Sequence, residues 1–268
     1  MKKQYTSYQE TMAFLEQAQE KYPELIRVHS IGTTWEGRPI MMATLSANIE
    51  TADSKPALLF TGTIHAREWI GNELAIKFID NVLTNIDHNP SIQQALSRNT
   101  LYMVPCLNPD GFEYSRTHFS FWRKNRRDNG DGTFGVDLNR NYGYGWGTGG
   151  SSKSPSSDVY MGEKPFSEPE SQAIKAFVES RDNATILVSF HTFSELILYP
   201  WGHVYDPISN EKDLKVHKTM AETMAKWNGY TPQQSSDLYI ASGDTTDWSY
   251  GEHGLFSFTF ELDPKSMW

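Results

Sequence analysis

Ala57-Leu58-Leu59-Phe60-Thr61-Gly62-Thr63-Ile64-His65-Ala66-Arg67-Glu68-Trp69-Ile70 is the stretch around which the rest of the chain is organised. Its first four residues are a continuous apolar run, the mark of a buried strand. Between Ile70 and Val82 apolar residues recur at helical spacing, which predicts a helix over about 69–85. His65 and Glu68 thus sit at a strand-to-helix junction, three positions apart, where one turn can aim both side chains at one point. An imidazole and a carboxylate are two of the side chains that zinc accepts, and a zinc site needs at least three ligands.

Most of the eight histidines lie in polar or loop contexts, where a solvated or hydrogen-bonded role is the default. His191 differs. It directly follows the apolar run Ile186-Leu187-Val188-Ser189-Phe190, so it projects from the carboxyl end of a strand, the edge where open α/β sheets bind ligands. Two histidines and a glutamate with one position left open describe a catalytic zinc site rather than a structural one.

Outward from this junction the pattern alternates. A helix is predicted over 7–22, with Ser7 and Glu10 as a capping box. Strands follow over 26–31 and 40–45 as an antiparallel pair, then a short helix near 91–97 and a strand over 100–105. From 108 to 157 the chain is glycine-rich and aperiodic, a long functional loop within the domain. Regularity returns with a helix from 167 to about 181, strands at 185–190 and 195–199, helices near 211–227 and 244–250, and a last strand over 255–262. Strands alternating with helices predict an α/β class: one domain over 1–268, with a mixed, mostly parallel twisted sheet and helices on both faces.

The 268 residues carry a net charge of -9, with a pI near 5.4, which argues against a nucleic-acid partner. No apolar run approaches the ~20 residues needed to span a bilayer, so no membrane partner is expected. The single cysteine, Cys106, excludes an intrachain disulfide and reads as a buried structural thiol beside a strand. The start, Met1-Lys2-Lys3-Gln4-Tyr5, lacks the apolar core of a signal peptide. The expectation is a mature secreted form, or a cytoplasmic chain if the sequence is complete as written.

His65-Ala66-Arg67-Glu68, Trp122-Arg123-Lys124, Asp137-Leu138-Asn139-Arg140-Asn141, His191, Tyr239 and Phe258-Thr259-Phe260-Glu261 occur in a recognisable order. In this the chain resembles the zinc metallocarboxypeptidases of the carboxypeptidase A/B type, most closely their bacterial, carboxypeptidase T-like members. The resemblance covers nearly the whole chain. It implies a zinc-dependent exopeptidase acting on peptide and protein C-termini; the oligomeric state is not set by the sequence, and a monomer is the expectation. One Zn²⁺ per chain would be held by His65, Glu68 and His191. It further implies Glu261 as general base and Arg123 as stabiliser of the oxyanion. Asn139 and Arg140 would bind the terminal carboxylate, Tyr239 would close over the bound residue, Arg67 would assist, and Asp137 would fix the tautomer of His65. Taken alone, the basic run from Arg123 to Arg127 would read as a solvated face.

In such enzymes the floor of the terminal-residue pocket sets specificity. Thr246 matches its main determinant and Asp244 a nearby carboxylate, which implies a preference for hydrophobic C-terminal residues with basic ones tolerated. Asp244 reads equally as the N-cap of the helix near 244–250. Three departures stand out. Ser120 occupies a position where animal relatives carry an arginine, and Phe193 replaces a tyrosine. The chain ends at Trp268, shortly after Glu261, where relatives continue into a further loop and a C-terminal helix, so that helix is expected to be absent here. The alternatives are a zinc amidohydrolase acting on N-acyl amino acids and an inactive carboxylate-binding fragment.

Overall fold

Eight strands form one mixed sheet in the order β1-β2-β4-β3-β5-β8-β6-β7. The structure is a computed structural model that describes residues 5–266; the polar start read at 1–4 and the chain end at 267–268 lie outside the described residues. In chain order the elements are α1 (Tyr8–Lys21), β1 (Ile26–Thr33), β2 (Pro39–Leu45), β3 (Ala57–Thr61), α2 (Ile70–Asn85), α3 (Pro90–Arg98), β4 (Thr100–Val104) and α4 (Pro109–Thr117). They continue with α5 (Pro169–Glu179), β5 (Ala184–Thr192), β6 (Leu196–Tyr199), α6 (Glu211–Asn228), β7 (Thr231–Gln234), α7 (Ser235–Leu238), α8 (Thr245–His253) and β8 (Phe256–Leu262). The central pairings β4–β3, β3–β5 and β5–β8 are parallel, while β1–β2, β2–β4 and β6–β8 are antiparallel. This is the single-domain α/β fold with a mostly parallel sheet that the alternating pattern predicts.

Strand alternation assigns the two faces. Leu59, Tyr102 and Leu187 pack with Ile174 and Phe177 of α5 and Trp248 of α8. The opposite parity carries Phe60, Val188, Phe190 and Phe260, which pack with Ala221 of α6. Further along that face, Ala43, Leu45 and Met103 meet Leu15 of α1 and Ile79 of α2. Parallel strands need cover on both faces because neither can be left to water. At the start of α1 the predicted capping box is present: Ser7 N donates to Glu10 Oε2 at 2.7 Å and Glu10 N to Ser7 Oγ at 3.2 Å. Cys106 is buried, and burial pushes its thiol well above the ordinary range.

The segment expected to be one long loop contains α4, a correction with a local cause. Asn108 caps it by accepting from Gly111 N at 3.0 Å, and Pro109 opens its first turn. Gly111 weakens the helical pattern in the sequence, yet a Cβ there would meet Lys124 O at 2.4 Å. Close packing, not flexibility, selects that glycine. β7 and α7 also escape the sequence reading; each is only four residues, and β7 carries Pro232 at the sheet edge. The remaining irregular chain is tied down by buried amides. Asn125 accepts from Val136 N at 2.8 Å, and Asn141 donates to Met161 O at 2.9 Å.

Candidate metal centre and substrate site

β3, β5 and β8 run in parallel and end on one rim, where ligands bind in such sheets. His191 of β5 and Glu261 of β8 are registered directly opposite each other, so both side chains leave the same face. The chain then climbs from β3 through a tight turn to α2. A Cβ at Gly62 would meet Pro105 O at 2.6 Å, and one at Gly71 would meet Thr63 N at 2.8 Å. Only glycines let the two backbones approach this closely, and the approach sets where His65 and Glu68 stand.

His65, Glu68 and His191 are all buried and offer donor atoms within 4.8 Å of one another. His65 Nδ1 lies 2.9 Å from Glu68 Oε1 and 3.1 Å from His191 Nδ1, and His191 Nδ1 lies 3.2 Å from Glu68 Oε2. The second ring nitrogens face away: His65 Nε2 lies 3.2 Å from Asp137 Oδ1, and His191 Nε2 lies 3.0 Å from Ser189 Oγ. Two imidazole nitrogens thus point at each other, an arrangement that a shared cation relieves. A tetrahedral centre with bonds of about 2.0–2.1 Å spaces its donors by roughly 3.3 Å, close to these separations. The two-nitrogen, one-carboxylate set, with each imidazole held from behind, fits a zinc ion. Burial alone would raise the Glu68 carboxyl, but the charges of His65 and His191 hold it below the usual carboxylate range.

Asp137 joins two parts of the site. It holds His65 through Oδ1, while its Oδ2 accepts from Arg123 Nε at 2.9 Å. Burial opposes its charge, yet Arg123 and His65 keep its carboxyl well below the ordinary range. Arg123 is partly buried; desolvation works against its charge, and the carboxylates of Asp137 and Glu68 hold it above its usual value. The carboxylate of Glu261, a residue 8% exposed, makes no hydrogen bond among the described residues. Burial, opposed by His191 and reinforced by Glu68, pushes its carboxyl up to about 7.

Asn139 and Arg140 lie in the short turn after Asp137 and are oriented by their neighbours. Thr245 N and Oγ1 donate to Asn139 Oδ1 at 3.1 and 3.0 Å, so the amide nitrogen points the other way. Arg140 uses Nε on Gly150 O and Nη1 on Asn139 O, which leaves Nη2 uncommitted among the described residues. Its guanidinium lies 5.9 Å from the Tyr239 ring, and that ring is half exposed. Arg67 donates to Phe121 O at 3.0 Å and pairs with Asp158 at 3.7 Å.

A cavity of about 600 Å³ is lined by His65, Arg67, Glu68, Arg123, Tyr239 and Glu261, together with Ser120, Phe121 and Phe193. Asn139, Arg140, Asp244 and Thr246 are not among its lining residues. Asp244 caps α8: its Oδ1 accepts from Asp247 N at 2.6 Å and from Thr246 Oγ1 at 3.1 Å. Burial and the charge of Asp247 push its carboxyl up to about 7. Sequence reasoning missed Ser189 and Thr245. Ser189 could have been found, since it lies two residues before His191 on the same strand face; Thr245 meets Asn139 only through the tertiary fold.

Residues 11–267 match the family described as Zinc carboxypeptidase (Peptidase_M14). A zinc carboxypeptidase of Saccharothrix mutabilis subsp. capreolus is 37% identical over 98% of this chain and 62% of its own length. Carboxypeptidase B of Astacus astacus is 34% identical over 96% of this chain and 86% of its own. The crystal structure of a carboxypeptidase A from Helicoverpa armigera superposes with a TM-score of 0.88 at 30% identity, covering 99% of this chain and 66% of the other. The chain thus spans less than two thirds of the length of some of its curated relatives.

Proposed function

The chain belongs to the zinc carboxypeptidase family, and on that premise we propose that it hydrolyses the last peptide bond of peptides and proteins bearing a free C-terminus. The observation that supports this reading is a pair of donors uncommitted among the described residues, Arg140 Nη2 and Asn139 Nδ2, in the turn that follows Asp137, whose own carboxylate lies 3.2 Å from the zinc-type ligand His65. A guanidinium fork matches a carboxylate, and a chain continuing past the scissile residue would leave the buried Arg140 Nη2 without an acceptor. His65, Glu68 and His191 would hold the zinc ion, which would supply Lewis acidity at the scissile carbonyl and the attacking water. Glu261, with a free carboxylate near neutrality, takes a proton from the attacking water and delivers it to the leaving amine. Arg123, fixed by Asp137, presents its cationic edge to the carbonyl oxygen as negative charge develops there. Tyr239, half exposed at the cavity wall, closes over the bound terminal residue.

For specificity, Asp244 caps α8, and a second role in recognising the terminal side chain is inferred from the family resemblance alone. Its Oδ1 serves the helix, while Oδ2 has no hydrogen bond among the described residues. The resemblance implies that hydrophobic C-terminal residues are preferred and Lys or Arg tolerated, a cationic terminal side chain favouring the charged form of the Asp244 carboxyl, which burial and the charge of Asp247 push up to about 7. The test combines metal analysis with hydrolysis of a blocked dipeptide. One zinc per chain with turnover abolished by Glu261→Gln is expected; turnover indifferent to that change would sink the reading.

A further inference from the structure

The His65–Glu68 turn and Arg123 are far apart in sequence, and a residue whose capping role explains only half of its side chain joins them. Asn108 is fully buried, and its Oδ1 accepts from Gly111 N as the cap of α4. Both amide hydrogens of Nδ2 are then left for other acceptors. One goes to the carbonyl of Ile64, just before His65, at 3.1 Å. The other goes to the carbonyl of Lys124, just after Arg123, at 3.2 Å. Neither carbonyl has another donor among the described residues. The Asn108 backbone N–H adds a bond to Thr63 O at 3.2 Å, so the residue grips the turn twice.

The two segments also meet directly, Ala66 N donating to Arg123 O at 2.9 Å. A single hydrogen bond fixes a separation but leaves the segments free to pivot about it. The Asn108 amide supplies a second point of attachment and removes that pivot. Asp137 completes the frame from the side chains, holding His65 and Arg123 with its two oxygens. Gly111 belongs to the same device, since a Cβ there would lie 2.7 Å from Asn108 Nδ2 and would overlap Lys124 O. We propose that Asn108 is a positioning residue for the hydrolytic step, its amide fixing where the Arg123 guanidinium stands relative to the metal ligands. Asn108 is not among the residues that line the metal cavity, and it acts through Arg123. The proposal rests on the carboxypeptidase reading, in which Arg123 meets the developing oxyanion.

The test is a double-mutant cycle on a blocked dipeptide: Asn108→Ser and Asn108→Thr, each alone and each combined with Arg123→Ala. Either replacement can still cap α4 through its hydroxyl oxygen, and neither can donate to both carbonyls. A misplacement of about 1 Å costs on the order of 10² in rate, so kcat is expected to fall about hundredfold in the single variants. KM is expected to stay within about twofold, because Asn139 and Arg140 are fastened elsewhere. Zinc titration of the metal-free variants is expected to give an affinity within about twofold of the unsubstituted protein, since Asp137 and Ser189 still back the two imidazoles. In the Arg123→Ala background the same substitutions should cost less than about threefold, because the group they act through is gone. Equal cost in both backgrounds, an activity loss that tracks loss of zinc, or unfolding of both single variants at the assay temperature overturns the proposal. Absence of dipeptide hydrolysis by the unsubstituted, zinc-loaded protein is the separate result that removes the carboxypeptidase reading.

Discussion

Glu261 is a buried carboxylate without a hydrogen-bond partner among the described residues, a costly thing to keep at the end of an apolar strand. Its cost is consistent with a reactive role, and Glu261→Gln is expected to lower kcat/KM by about 10²–10⁴ while metal content is unchanged. Loss of zinc from that variant would instead point to a structural role. Asp244→Asn makes a second test at this scale. Asn caps helices as well as Asp, so α8 keeps its cap while the charge disappears. Release of C-terminal Lys and Arg should fall and release of Leu and Phe should persist; equal retention of both would leave Asp244 as a cap alone. The sequence exposes His191 because an apolar strand leads straight into it. Glu261, Arg123 and Arg140 are marked only through family resemblance, since a lone charge at a strand end or in a basic run usually meets solvent. Ser189 and Thr245 orient His191 and Asn139 through contacts that exist only once the chain has folded.

At the scale of elements, the β3–α2 junction is the part whose position matters most. Its two glycines let α2 start against the backbone of Thr63, itself held at a φ of 51°. Gly71→Ala would drive a methyl group to 2.8 Å from Thr63 N, contact with backbone that cannot swing away. The variant is expected to lose about 1–3 kcal/mol of stability and to bind zinc more weakly, because the shift passes directly to His65 and Glu68. Denaturant melts and a zinc titration would check it; wild-type values for both would show the junction to be more compliant than its spacing implies. The long regular elements are legible because periodicity and caps agree over many residues, as in α1. α4 is not, because its glycine serves packing, and β7 and α7 are too short to carry a period.

At the scale of the whole molecule, the sheet order is the feature furthest from the sequence. β4 lies between β2 and β3, and β8 lies between β5 and β6, crossings that no local pattern encodes. The irregular 118–168 segment is fastened to the body by a buried acidic pair at the start of α5. Glu168 accepts from Trp35, Asn125 and Arg127, while Glu170 keeps one buried oxygen without a partner among the described residues. Burial and the Glu168 charge push the Glu170 carboxyl up to about 8. With the folded value above the unfolded one, the native state retains a proton that the unfolded chain has lost. The contribution is therefore fully present below the ordinary carboxylate value of about 4.3 and is lost as pH rises through 8, by up to about 1.4 kcal/mol per pH unit. Glu170→Gln should gain on the wild type by about 1–3 kcal/mol between pH 5 and pH 8 in urea melts. A difference between the two proteins that is the same at both pH values would contradict the assignment.

On the proposed function, the Arg140–Asn139 turn receives a free C-terminal carboxylate. Mass spectrometry of the zinc-loaded protein incubated with one peptide, as its free acid and as its C-terminal amide, tests it most directly. Single residues lost from the end of the acid alone, with the amide intact, is the predicted result; comparable cleavage of the amide, or internal fragments from either peptide, would contradict it.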